Sequence, residues 1–248
     1  MKHQKVNLLW TGGWDSSFRL LQLLIVQKKY VQPYYIIDTK RKSIVMELDA
    51  MHNIKKKLKD SFPEVINRLS DTFYINKDDF DASEEIKSQY QKIAAHYHIG
   101  SQYLWLAAFS KVKHIENLEL SAEKANYDGI WMGLLVPLLV KDGDGYKIDT
   151  SLDCDKRFSL FSGFRFPLLD YYKEDMEVEA KEYGFYDILI CSWFCHFPIM
   201  NKPCGVCRPC QMAMKSKHHH NYKMPNKFFR NTIKILRFVK VKGMNLVK

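Results

Sequence analysis

The apolar run Val6 to Trp10 breaks into Thr11-Gly12-Gly13-Trp14-Asp15-Ser16-Ser17 and then gives way to Phe18, Leu20, Leu21, Leu23 and Leu24 at helical spacing, to about Lys28. A strand that turns at once into a helix is the building unit of parallel sheets, because parallel strands need a crossover between them. The pattern repeats downstream. Val31 to Ile37 reads as a second strand, Ser43 to Leu58 as a helix with Met46, Met51 and Ile54 inward, and Thr72 to Ile75 as a third strand. Ile99 to Val112 is the richest helix signal, and Glu119 to Ser121 and Gly129 to Val136 are weaker ones. Asp142-Gly143-Asp144-Gly145 reads as a turn. Tyr172 to Tyr183 reads as a helix stopped by Gly184, and Tyr186 to Cys191 as a further strand. The expectation is an α/β fold, a parallel sheet with helices on both faces, followed by a cysteine-rich segment and a basic tail. The corresponding divisions are residues 1–190, 191–214 and 215–248.

The glycine turn carries chemistry as well as topology. Two glycines let the backbone approach a ligand closely. Asp15, Ser16 and Ser17 sit where helix N-caps belong, and the N–H groups at a helix start favour phosphate. The hydroxyls of Thr11, Ser16 and Ser17 add neutral donors. The Gly-Lys-Ser/Thr ending of a nucleotide-hydrolase loop is missing, as is the Gly-x-Gly-x-x-Gly fingerprint of dinucleotide binding. A glycine turn that merely links strand to helix is the plainer alternative.

Near the other end, Cys195, Cys204, Cys207 and Cys210 follow C-x8-C-x2-C-x2-C. Four thiolates at such spacing can close a tetrahedral zinc site, with Gly205 and Pro209 suited to its tight turns and Lys202 and Arg208 offsetting its negative charge. An iron–sulfur cluster uses the same ligands, and Cys191 or His196 is an alternative fourth ligand. Cys154 and Cys191 are expected to be free buried thiols.

Together the two motifs resemble one family. Thr11-Gly12-Gly13-Trp14-Asp15-Ser16 resembles the Ser-Gly-Gly-x-Asp-Ser pyrophosphate loop (PP-loop) of N-type ATP pyrophosphatases, with Thr11 keeping the first hydroxyl. With the four cysteines, the chain is similar to the 7-cyano-7-deazaguanine synthase (QueC) family of queuosine and deazapurine biosynthesis. Phe166 to Met176 followed by Gly184, and Gly100 to Ala108, resemble two further family segments, so the likeness spans about residues 5–212. The resemblance implies an adenine nucleotide alpha hydrolase-like fold and an ATP-dependent enzyme that adenylates the carboxylate of 7-carboxy-7-deazaguanine or a relative. Ammonia or another amine, such as one on a protein, would then be acylated, with pyrophosphate and AMP released.

On this reading Trp10, Thr11, Gly12, Gly13, Trp14, Asp15, Ser16 and Ser17 bind ATP with Mg²⁺. Asp15, Ser16 and Lys173 are the catalytic candidates, Lys173 being alternatively a solvated helix-start lysine. A structural zinc and a homodimer are also implied. The sequence departs from the family where a Tyr-Gly-Gln-Arg-His segment becomes Asp38 to Ser43, keeping at best Arg41. The family's Gly-Arg-Asn becomes Gly100-Ser101-Gln102, and its Asp-Cys-Arg leaves only a loose echo in Asp153 to Arg157. ATP handling and zinc are retained in this comparison, while the substrate pocket is rebuilt. A tRNA-modifying enzyme or a non-catalytic nucleotide-binding module are the rival readings.

Composition narrows the setting. Of 248 residues 46% are hydrophobic and 14% aromatic, which excludes a disordered chain. The net charge of +10 suggests nucleic acid until it is located: ten of the 38 Lys/Arg lie in residues 211–248, which hold no Asp or Glu, leaving 28 bases against 28 acids elsewhere. RNA, an anionic surface or an acidic protein are partners such a tail could take, through an amphipathic helix over Asn226 to Lys240 that carries Phe229, Ile233 and Leu236 on one side; packing on the body is the plainer role. His218-His219-His220 suits a solvated turn, and His96, Tyr97 and His98 are expected to be structural. No apolar run reaches spanning length, and Met1 to Gln4 does not read as a signal peptide, so the expected location is the cytoplasm.

Overall fold

A computed structural model describes residues 4–124, 130–153, 156–216, 222–233 and 235. Strand β1 (Lys5–Leu9) leads through the glycine turn into α1 (Trp14–Leu21), whose last turn widens into a π-helical segment, Gln22–Val26. There follow β2 (Tyr30–Ile37), α2 (Ile44–Ser61), β3 (Phe73–Asn76), α3 (Glu84–Ala94), α4 (Gln102–Val112), β4 (Leu118–Glu119) and α5 (Ile130–Leu135). The chain then forms β5 (Leu139–Asp142), β6 (Gly145–Ile148), β7 (Phe164–Phe166), α6 (Lys173–Glu182), α7 (Tyr186–Leu189) and α8 (Arg208–Ser216).

The seven strands form one sheet in the order β3-β2-β1-β4-β7-β6-β5. The first five in that order are mutually parallel, and β6 and β5 run antiparallel at the edge. The mixed α/β class expected from the alternating pattern is therefore present. Side chains of β2 divide by parity: Val31 and Tyr35 enter a core with α1, α2, α6 and α7, whereas Tyr34 and Ile36 enter the core of α3 and α4. Pro33 costs this strand no ladder bond. Ser70 donates to the Val31 carbonyl at 3.0 Å, so Val31, Pro33 and Tyr35 share the edge toward β3, and β3 pairs only from Tyr34 onward.

Three expectations need correction. Tyr186 to Cys191 is not a strand but begins as the helical turn α7, with Leu189 and Ile190 donating to the carbonyls of Phe185 and Tyr186 at 3.0 Å. Its β-favouring composition loses to burial, because Ile188 and Leu189 fill the core under α1 and α2. Gly184, at φ +73°, stops α6 as expected. Second, the first helix starts at Trp14 with Gly13 as its N-cap, so Asp15 and Ser16 lie in the first turn, not at the cap. Third, Cys191 is half-buried, its thiol near the Asp187 carbonyl at 3.7 Å, and is not a core thiol.

Strands β5 to β7 and helix α3 had no expectation attached, although the Asp142 to Gly145 turn does join β5 to β6. The expected elements from Glu119 to Ser121 and Gly129 to Val136 resolve into the short β4 and into α5 followed by a one-turn 3-10 helix; Gly129 lies outside the described residues. Cys154, Asp155 and His218 to His220 also lie outside them. Residues 227–233 are helical, and Ile233 is buried against the cysteine segment while Phe228 is exposed, so the start of the tail packs on the body. No helix among the described residues is long and apolar enough to cross a membrane.

Candidate functional site

The sheet order reverses direction between β1 and β4, adjacent strands whose crossovers leave in opposite senses. In open α/β sheets a crevice opens beyond the carboxyl ends of the strands at such a switch point. Here it is a cleft of about 790 Å³, floored by Leu9, Ile36 and Leu120 and walled by Thr11, Gly13, Asp15 and Ser16.

The glycine turn is held by its own hydroxyls and by its neighbours. The Thr11 N–H donates to the Ser16 hydroxyl at 3.3 Å, and the Thr11 hydroxyl stands 3.4 Å from it. Gly12 has φ +68°, and a Cβ there would meet the Glu47 carbonyl at 2.7 Å, so both conformation and space demand glycine. The Ser17 N–H closes the first helical turn on the Gly13 carbonyl at 2.9 Å. The N–H groups of Trp14 to Ser16 precede that first bond, at the positive end of the helix.

The eight residues expected to contact nucleotide do not all reach the cleft. Trp10 and Ser17 are fully buried and bonded to each other, indole to hydroxyl at 3.1 Å, so they brace the turn from below. Gly12 packs under α2, and Trp14 meets Tyr186 edge-on at 6.4 Å. Thr11, Gly13, Asp15 and Ser16 line the open side.

Lys173 joins them. Its ammonium stands 2.5 Å from Asp15 Oδ1 and 2.9 Å from Glu123 Oε1, bridging α6 to the turn and to the segment after β4. Burial works against its charge, but the two carboxylates outweigh burial and hold its pKa above the ordinary value. Glu123 is almost completely buried, and its second oxygen has no hydrogen-bond partner among the described residues. Burial first, then the Asp15 charge, raises the Glu123 pKa. The nearby Ser121 hydroxyl is also buried without a partner. Sequence reasoning missed Glu123; the available signal was its place just past the weak strand at Glu119, at a carboxyl end.

The four cysteines converge. Their sulfurs all lie within 4.8 Å of one another and all four residues are buried. Cys204 and Cys210 sulfurs are 3.9 Å apart, as are those of Cys195 and Cys207. A tetrahedron of sulfurs about 2.3 Å from one ion has edges of about 3.8 Å, so the group fits a single ion such as zinc. The N–H groups of Cys204 and Cys207 point at the Cys195 and Cys204 sulfurs, at 3.2 and 3.4 Å, and would stabilise thiolate charge. Cys191 and His196 are not members of the cluster. The segment is tied to the glycine turn, since the Trp193 N–H donates to the Gly12 carbonyl at 2.8 Å and its indole to the Cys195 carbonyl at 2.7 Å.

Cleft-lining side chains from elsewhere include Arg41 after β2, His98 and Trp105 from the α4 region, and His196 and Arg208 from the cysteine segment. No family model matches the chain, and no curated protein matches it.

Proposed function

We propose that this protein is a divergent relative of the 7-cyano-7-deazaguanine synthases, a PP-loop enzyme that uses ATP to adenylate a carboxylate. The observation that carries the reading is the hydroxyl-Gly-Gly-x-Asp-Ser turn opening into the switch-point cleft, with Asp15 ion-paired to Lys173 at 2.5 Å. A turn serving only as a connector gains nothing from a half-buried lysine shared with two acids.

The chemistry follows from these parts. An oxygen of the substrate carboxylate attacks the α-phosphorus of ATP, the bond to the bridging α–β oxygen breaks, and pyrophosphate leaves. The start of α1 and the hydroxyls of Thr11 and Ser16 receive the charge that builds on pyrophosphate, and Lys173 adds a cation beside them. Asp15 and Glu123 are the carboxylates that would hold Mg²⁺, and the partnerless oxygen of Glu123 fits that role. When bound, the ion neutralises phosphate charge. Ammonia or another amine then attacks the acyl carbon, expelling AMP and giving an amide. Activating the amide oxygen with a second ATP, followed by loss of AMP, would give the nitrile. The cysteine cluster is read as structural zinc: with four sulfur ligands it keeps no open position for a reacting group.

The test is pyrophosphate release from ATP and Mg²⁺ with 7-carboxy-7-deazaguanine and ammonium, read beside product mass. Pyrophosphate together with an adenylate, amide or nitrile is expected, and Asp15→Asn should lower the rate by about 100-fold or more. Folded, zinc-loaded protein that releases no pyrophosphate with any carboxylate offered would refute the reading.

A further inference from the structure

We propose that residues 222–233 form a strap across the four-cysteine site, and that the Arg230 guanidinium supplies counter-charge to the metal–thiolate cluster, so that metal binding and docking of the strap stabilise each other. The inference rests on the reading of the cysteines as a metal site, and adds to it a cation from a separate segment of the chain.

Packing comes first. Gly205, in the turn between Cys204 and Cys207, has φ +71°. A Cβ built there would fall 2.8 Å from Arg230 Cδ, 2.9 Å from Arg230 Cγ and 2.9 Å from Pro225 Cγ. The aliphatic stem of Arg230 therefore lies directly on the knuckle that joins two of the ligands. Ile233, three residues on, is buried in the same core as all four cysteines. At the start of the strap, Tyr222 meets Trp193 edge-on at 5.0 Å and Phe194 at 5.7 Å, and Met224 packs against that core too.

Charge comes second. Arg230 Nη1 donates to the Met214 sulfur, near the end of α8, at 2.7 Å. A thioether is a weak, neutral acceptor. The Arg230 Nε is buried and has no hydrogen-bond partner among the described residues, and no carboxylate among them pairs with the guanidinium. Residues 211–248 contain no Asp or Glu at all. A half-buried guanidinium without an acid is costly unless another anion answers it. Four thiolates around one divalent ion leave a dianionic cluster, and that anion lies under the Arg230 stem. Arginine suits the place, because its diffuse charge is weakly hydrated and tolerates burial better than an ammonium does.

The two halves are thermodynamically linked. Neutral thiols would leave Arg230 without its counter-ion, and an undocked strap would leave the cluster without its cation. The factor by which the docked strap tightens the metal must equal the factor by which the metal favours the docked strap. Arg230 is therefore a positioning residue for the metal site, and the strap is a latch that the metal closes.

The experiment uses the full-length protein loaded with zinc, a coloured chelator as competitor to read zinc affinity, and hydrogen exchange over residues 222–233. Arg230→Gln should weaken zinc by about tenfold or more, as losing a group that supports metal ligands from outside does. Arg230→Lys, which restores the charge without the planar fork, should recover part of that affinity. Chelation of the wild-type protein should abolish exchange protection over residues 222–233, and Arg230→Gln should lower that protection even with zinc bound. Unchanged zinc affinity in Arg230→Gln would overturn the proposal and leave the metal-site reading standing. Arg230→Lys no better than Arg230→Gln would overturn it as well, since packing and not charge would then be at work. So would strap protection that survives chelation. Folded wild-type protein that binds no zinc would remove the metal-site reading and the proposal together.

Discussion

The two ends of the sheet both bury charge, yet they account for it differently. At the amino end, beside the start of β1, Glu119 accepts Arg19 at 2.7 and 2.9 Å and Arg165 at 2.7 Å. Arg19 spends its remaining edge on Gln22 and Asp144, and Arg165 on Asp142 and Asp144. Gln22 passes the network on to Tyr171 and Glu179. At the carboxyl end, among the described residues, Glu123 has one oxygen on Lys173 and the other on nothing, Ser121 keeps an idle hydroxyl, and Arg208 pairs with no acid. Buried charge alone therefore does not mark a functional site. A saturated network is a staple, and an unfinished one is a place where a ligand completes the bonding.

Removing a metal held by the four cysteines should separate the two ends most. Apart from its cysteines, the core around the cluster contains, among the described residues, only Ala50, Trp193, Val206 and Ile233 as buried residues. That is too little to order the segment against chain entropy, whereas structural zinc contributes an apparent binding energy of about 10–16 kcal/mol in small domains. Chelation, or Cys207→Ser, should abolish hydrogen-exchange protection over residues 193–216. It should also loosen Gly12 to Ser17 through the lost Trp193 bond, while strands β4 to β7 stay protected. Uniform loss of protection at both ends would show that they are not independent.

The amino-end staple should be the next most sensitive. Arg19 and Glu119 side chains are 2% and 1% exposed, and removing either breaks their buried bonds while leaving Glu119 on Arg165 or Arg19 on Asp144. Arg19→Met and Glu119→Gln should each cost about 1.5–3 kcal/mol in urea unfolding. Folded protein that survives should bind α,β-methylene-ATP as wild type does if the proposed nucleotide site is right. A cost below about 1 kcal/mol would mean that the network behaves like a surface pair.

The sequence made this contrast only half legible. The glycine turn, the parallel strands and the four cysteines announce themselves because each depends on local spacing: period two in a strand, Gly at positive φ, sulfur every third residue. Lys173 and Asp15 were singled out separately, but nothing in a string 158 residues apart says that they meet. Glu119 and Glu123 look alike in sequence, four residues apart, and only the fold makes one saturated and the other incomplete. The β5–β6 hairpin escaped because its strands are four residues each and partly exposed, with little periodicity to read. Tyr186 to Cys191 misled for the opposite reason, since an apolar run fits a strand or a buried helical turn equally well.

The smallest effect is the one that tests the accounting most directly, because the two ends should answer acid in opposite directions. Burial, then the Asp15 charge, lifts Glu123 above its ordinary value of 4.5, so the folded protein holds that proton more tightly than the unfolded chain does. Its contribution to stability therefore falls as pH rises from 4.5 through the lifted value. Burial would also lift Asp142 and Asp144, but hydrogen bonding from Arg165 to the first and the Arg19 charge on the second win, and both sit below 3.8. Their stabilisation is complete above 3.8 and is lost as pH falls through the lowered values. Urea unfolding measured from about pH 3 to about pH 7 should then show two slopes of opposite sign, the upper no steeper than about 1.4 kcal/mol per pH unit for one carboxylate and the acid limb no steeper than about twice that for two. Glu123→Gln should flatten the upper slope and leave the acid limb alone. Asp144→Asn should soften the acid limb and leave the upper slope alone. If Glu123→Gln leaves the upper slope in place, its partnerless oxygen is not where the cleft end stores its unfinished charge, and the contrast between the two ends has to be redrawn around Arg41 and Arg208.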